Sequence, residues 1–149
     1  MYTKTLKISC VLPASKNEVF SNLKQLKTLQ YIAKPYASFN PVNAKDSSVW
    51  KENTVFQFKF KLFCFIPLGI HTINMKKFNE DEIYTKEYNK HVPVWNHRIT
   101  LKEIKSNKTH YTDEIEIGAN WKTMFVYLWA KAFYKHRQKK WLKLLDKAD

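Results

Sequence analysis

At 149 residues, 44% hydrophobic and 26% charged, the chain has the make-up of one globular domain spanning 1–149, and no apolar run approaches the roughly 20 residues of a membrane-crossing helix. It has two glycines, Gly69 and Gly118, which excludes phosphate cradles of the P-loop or GxGxxG kind. A formal net charge of +13 predicts attraction to polyanions or anionic membranes, and with no recognised nucleic-acid module in the sequence it predicts no specific nucleic-acid partner.

Leu6, Ile8, Cys10 and Leu12 alternate with Lys7, Ser9 and Val11, the period of a half-buried strand that Pro13 closes. The run is too short for a secretory core, which predicts a cytoplasmic protein. Ser15 and Glu18 form a capping box that starts a helix, with Val19, Phe20, Leu23 and Leu26 as its apolar face. Thr28 is the expected cap of a second short helix through Ile32, and residues 34–48 read as a long loop. Phe56, Phe58, Phe60, Leu62 and Cys64 then fall on one strand face, until Pro67-Leu68-Gly69 breaks the run. His71, Ile73 and Met75 share the next face, Asn79-Glu80-Asp81-Glu82 turns the chain, and Ile83–Tyr88 forms another strand. Trp95, His97, Ile99 and Leu101 alternate, Lys105-Ser106-Asn107-Lys108 turns, and Tyr111, Asp113, Ile115 and Ile117 alternate again.

From Trp121 to Lys147 the period becomes 3.6, uninterrupted by Pro or Gly, which predicts one long helix. Lys131, Lys135, Gln138, Lys139 and Asp146 form its wet face, with Val126, Ala130, Phe133, Trp141 and Leu144 opposite. The fold class is therefore α+β: a curved antiparallel sheet gripping a long C-terminal helix, with short helices after the first strand. Cys10 and Cys64, without metal-site spacing, read as two reduced, buried thiols, and the sequence calls for no metal and no cofactor.

This order of elements resembles the helix-grip superfamily of START, Bet v 1 and polyketide cyclase-like proteins (SRPBCC). Phe63-Cys64-Phe65-Ile66-Pro67-Leu68-Gly69-Ile70-His71-Thr72, Trp95-Asn96-His97-Arg98-Ile99, Tyr111-Thr112-Asp113-Glu114-Ile115 and Phe133-Tyr134-Lys135-His136-Arg137-Gln138-Lys139-Lys140-Trp141 are each similar to segments of one bacterial subgroup. Cys64 departs from that subgroup, which tends to have glycine there. The resemblance implies a cavity between sheet and helix for a hydrophobic or amphipathic small molecule or lipid. It does not imply an enzyme, since the superfamily holds carriers as well as cyclases.

Phe56, Phe58, Phe60, Trp95, Tyr111, Trp129 and Phe133 are the expected cavity or core lining, with Ile73 and Met75 beside them. Four polar residues also fall on inward positions: His71, His97, Asp113 and Arg137. An Asp113–Arg137 pair with both histidines nearby is the simplest expectation, because a buried charge is costly alone. The group has three readings: a structural network, a polar end orienting a ligand, or a cyclase/dehydrase-like site in which His97 with Asp113 serves as general base and Arg137 stabilises an enolate. The densest basic patch is Lys131, Lys135, His136, Lys139, Lys140 and Lys143. With Phe63, Phe65 and Ile66 it offers a further reading, a basic peripheral protein docking on anionic membranes. Non-catalytic binding or carriage of a hydrophobic molecule is the function expected first.

Overall fold

A computed structural model describes residues 1–43 and 50–146. Strand β1 (Lys4–Leu12) alternates as its sequence requires, with Leu6 and Leu12 buried and Lys7, Ser9 and Val11 exposed. Ser15 caps helix α1 (Lys16–Leu23), its hydroxyl accepting from the Glu18 amide at 3.1 Å. Leu26 belongs to a second helix, α2 (Leu26–Ala33), rather than to the face of the first. Thr28 is a buried residue of that helix and not its cap; the cap position is Gln25, whose side chain makes no capping bond.

The expected loop at 34–48 holds a strand. β2 (Ala37–Pro41) pairs antiparallel with β3 (Thr54–Leu62), Ala37 opposite Leu62 and Pro41 opposite Phe58. Five residues ending in proline resemble a loop in sequence, but β2 is an edge strand, where proline is tolerated. Residues 44–48 of that expectation lie outside the described residues.

β3 turns into β4 (Ile66–Phe78) through Phe63-Cys64-Phe65, where Phe63 and Cys64 take φ of 51° and 66°. Cys64 is therefore an exposed turn residue, neither on the strand's inner face nor a buried thiol. Its left-handed backbone favours the glycine that the similar subgroup carries. Pro67-Leu68-Gly69 does not break the sheet either. Gly69 pairs with Phe60 and Pro67 with Lys61, so Leu68 is the extra residue of a bulge, and Gly69 reaches φ 86°.

β5 (Glu82–Tyr88), β6 (Val94–Lys105) and β7 (Lys108–Gly118) complete an antiparallel sheet of order β1-β7-β6-β5-β4-β3-β2. The two expected turns are present: Asn79 Oδ1 accepts from the Asp81 and Glu82 amides, and Ser106-Asn107 joins β6 to β7. Helix α3 (Thr123–Leu144) follows a 3-10 turn at Asn120–Lys122; the expected end at Lys147 lies outside the described residues.

The buried positions of α3 and its end are Thr123 at its start and then Ala130, Phe133, Tyr134, Gln138, Trp141 and Leu145, one stripe at three- and four-residue steps. Two assignments change with it. Gln138 is buried at 5% exposure rather than wet, and Leu144, one position off the stripe, is exposed while Leu145 is buried. α3 packs on β1, β7 and α2. That placement leaves space between the first half of α3 and the inner faces of β3 to β6.

Candidate functional site

A cavity of about 540 Å³ occupies that space. From the strands, Phe58, Phe60, His71, Ile73, Met75, Trp95 and His97 line it. From α3, Trp129, Phe133 and Arg137 do so. Three expected residues do not reach it. Phe56 packs on Trp50, ring centroids 4.7 Å apart, and Tyr111 on Trp141 at 5.7 Å. Asp113 lies fully buried behind His97.

Sequence reasoning missed other wall residues. Ala37 and Phe39 come from the strand hidden in the expected loop, and Glu87 and Tyr134 had no assigned role. Thr85 and Glu87 could have been found, because they continue the period of two that begins inward at Ile83.

The polar residues form a band across four strands. His71 Nε2 lies 2.7 Å from Glu87 Oε1, and its Nδ1 accepts from Asn89 Nδ2 at 2.9 Å. Glu87 Oε2 accepts from the Thr85 hydroxyl at 2.5 Å. Thr85 is paired across the ladder with His97, whose Nε2 lies 2.6 Å from Asp113 Oδ1. His97–Asp113 and His71–Glu87 are both diagonal cross-strand neighbours on one face, within reach of long side chains.

Asp113 therefore does not pair with Arg137, which corrects the sequence expectation. Its remaining partners are the Tyr111 hydroxyl at 3.3 Å and Gln138 Nε2 at 3.2 Å. Gln138 Nε2 also donates to the Ile8 carbonyl at 2.9 Å, so this amide, and not the guanidinium beside it, ties α3 to β1 and β7. One helical step of about 100° separates the two residues, enough to exchange their roles.

Arg137 stands over the rings of Tyr134 and Phe133, at 5.1 and 5.7 Å. Its buried Nε and the buried Nε1 of Trp129 have no hydrogen-bond partner among the described residues. Burial disfavours the Arg137 charge, but Tyr111, Tyr134, Asp113 and Glu87 around it outweigh burial and hold it firmly protonated. Burial likewise raises the Glu87 carboxyl, yet His71 and Thr85 overcome that and hold it below the ordinary value. Burial and the nearby Asp113 push the Cys10 thiol up to about 12, which makes it a poor nucleophile. Among the described residues no group of three or more His, Cys, Asp or Glu side chains is placed to hold a metal ion.

The cavity opens where its lining is exposed. Trp121 and Phe125 reach 79% and 69% exposure beside it, with Met124 and Leu128 next to them on α3. Across the opening, Leu62 and Leu68 line the cavity from the β3–β4 hairpin, whose tip exposes Phe63, Phe65 and Ile66. Tyr36 spans the two sides, its ring 6.2 Å from Phe63 and 6.5 Å from Trp129. No helix among the described residues is long and apolar enough to cross a membrane.

A family model described as a domain of unknown function (DUF8410) matches residues 10–144. No curated protein matches the sequence. Among solved structures, protein CV1439 from Chromobacterium violaceum aligns with TM-score 0.74 at 13% identity, over 95% of this chain and 96% of that one. A START superfamily protein from Mycobacterium smegmatis aligns with TM-score 0.74 at 11% identity, over 97% and 99%. Norcoclaurine synthase from Thalictrum flavum, solved with dopamine and hydroxybenzaldehyde, aligns with TM-score 0.69 at 10% identity, over 99% and 89%. The fold is thus the START/Bet v 1-like helix-grip fold.

Proposed function

The chain belongs to the DUF8410 family, and we propose that it binds or carries a hydrophobic small molecule in the cavity between sheet and α3, without catalysis. The observation that carries this reading is the cavity itself. Its volume of about 540 Å³ falls within the few-hundred to thousand Å³ usual for ligand pockets, and its walls are mostly aromatic and aliphatic, with the polar band on one side and Lys122 beside Trp121 as the exceptions. Binding is favoured over general-base chemistry by His97 and Asp113 because of how Asp113 is engaged. It joins Tyr111, Gln138 and His97 in a network that locks helix to sheet, and it does not reach the cavity.

The test uses delipidated protein and the neutral fluorescent probe N-phenylnaphthylamine. Saturable binding is expected, and Ile73→Trp, which fills space at the cavity wall, is expected to weaken it by about tenfold or more, since the lost contacts are those of an apolar group in an apolar pocket. Equal binding by the two proteins, with unfolding curves showing both folded, would place the probe elsewhere and overturn the reading.

The exposed rim favours a second, compatible reading: docking of the cavity mouth on an anionic bilayer. Phe65, Trp121 and Phe125 are suited to the headgroup boundary, and a chain of net charge +13 with Lys61, Lys131 and Lys135 exposed nearby complements anionic lipid. The protein is expected to sediment with phosphatidylglycerol vesicles, to be released as salt rises, and to lose binding in the Phe65→Ser/Trp121→Ser double variant. Failure to sediment with these vesicles at low salt would remove this reading and leave the cavity untouched.

A further inference from the structure

We propose that the ligand is an amphipathic carboxylic acid, its carboxylate held against Arg137 and Tyr134 of α3 and its apolar body lying along the cavity walls. The inference rests on the cavity reading above and adds the chemistry of the ligand's head.

The two sides of the cavity's polar end are satisfied differently. On the sheet side the polar groups are engaged with one another. Both ring nitrogens of His71 are occupied, Glu87 accepts from Thr85 and contacts His71, and His97 holds Asp113. On the helix side, donors stand without acceptors among the described residues. Arg137 Nε and Trp129 Nε1 are buried and unpartnered. The Tyr134 hydroxyl accepts from Trp95 Nε1 at 3.1 Å, so its oxygen is occupied while its proton remains available. All three residues line the cavity.

Native interiors leave few buried polar atoms unpaired, and a buried donor of a charged group, as Arg137 Nε is, is costly to leave without an acceptor. The missing partner must accept hydrogen bonds. A carboxylate is acceptor-only, matches the planar fork of a guanidinium, and supplies the counter-charge that Arg137 lacks at contact distance. The carboxylates of Glu87 and Asp113 do not supply it, since neither forms an ion pair with Arg137. An ammonium head would bring donors to donors and positive charge to positive charge. The Phe133 and Trp129 rings, stacked at 4.8 Å beside Arg137, give the first methylenes of the ligand an apolar surface.

The experiment displaces N-phenylnaphthylamine with dodecanoate, methyl dodecanoate and dodecylamine, compounds that share a chain and differ in the head. Dodecanoate is expected to compete about tenfold or more better than the ester or the amine, the worth of a charge-assisted hydrogen bond at a buried site. Arg137→Leu is expected to bring dodecanoate down to the ester's level. Equal competition by acid and ester in the natural protein would overturn the carboxylate inference while the cavity reading stands, and so would an acid preference that survives Arg137→Leu. If the probe itself does not bind, the cavity reading fails and this inference with it. The comparison of acid, ester and amine on the natural protein decides the matter even if Arg137→Leu does not fold.

Discussion

Asp113→Ala is expected to destabilise the protein by about 3–5 kcal/mol, read from the shift of its urea unfolding midpoint. Asp113 is fully buried, and its two oxygens accept from Tyr111 and Gln138 and contact His97. Removing the carboxylate takes an acceptor from Tyr111, His97 and Gln138, of which Gln138 keeps the Ile8 carbonyl, at about 1–3 kcal/mol for each group left unsatisfied, partly recovered by local rearrangement. Asp113→Asn keeps the volume and one acceptor and should cost less. Gln138→Ala should cost about 1–2 kcal/mol, because it detaches α3 from Asp113 and from the Ile8 carbonyl without stranding a charge. Probe affinity of folded Asp113→Asn should match that of the natural protein, since Asp113 does not line the cavity. A loss below about 1 kcal/mol for Asp113→Ala would mean that this network does not bind helix to sheet.

The elements that sequence reasoning recovered are those whose periodicity is imposed by a single buried face. β6 and β7 alternate cleanly from Trp95 to Leu101 and from Tyr111 to Ile117, because the opposite face of each strand carries polar side chains, half-buried or exposed apart from the buried Thr112. The failures have equally local causes. β2 is short, lies at the sheet edge and ends in proline, so its pairing with β3 comes from tertiary contact and not from its own pattern. Pro67-Leu68-Gly69 carries the letters of a break, yet a bulge absorbs them inside β4.

At the site, periodicity placed His97, Asp113 and Arg137 near one another but could not pair them. Pairing depends on reach and rotamer, and in α3 it gave Asp113 to Gln138, a residue whose polarity alone suggested solvent. Glu87 escaped notice for a related reason. A carboxylate on a strand reads as surface until the histidine that contacts it, His71 on the neighbouring strand, is brought alongside.

That contact gives the second large effect. Glu87→Ala is expected to cost about 3 kcal/mol at neutral pH, as a partly buried partner removed from its pair, with His71 and Thr85 both losing an acceptor. Its dependence on pH has a definite sign. Burial raises the Glu87 carboxyl, but His71, His97 and Thr85 more than compensate, so in the folded protein it titrates below the ordinary value of 4.5. As pH falls the unfolded chain takes up this proton first. The stabilisation is complete above the unfolded value and is lost as pH drops through the folded one. Glu87→Gln retains an acceptor for His71 but cannot titrate. The gap in unfolding free energy between the natural protein and Glu87→Gln should therefore shrink steadily as pH falls below about 5. A gap that stays constant or widens as pH falls below about 5 would show that Glu87 does not carry a depressed carboxyl, and that the His71–Glu87 contact is not the charged hydrogen bond that orders this end of the cavity.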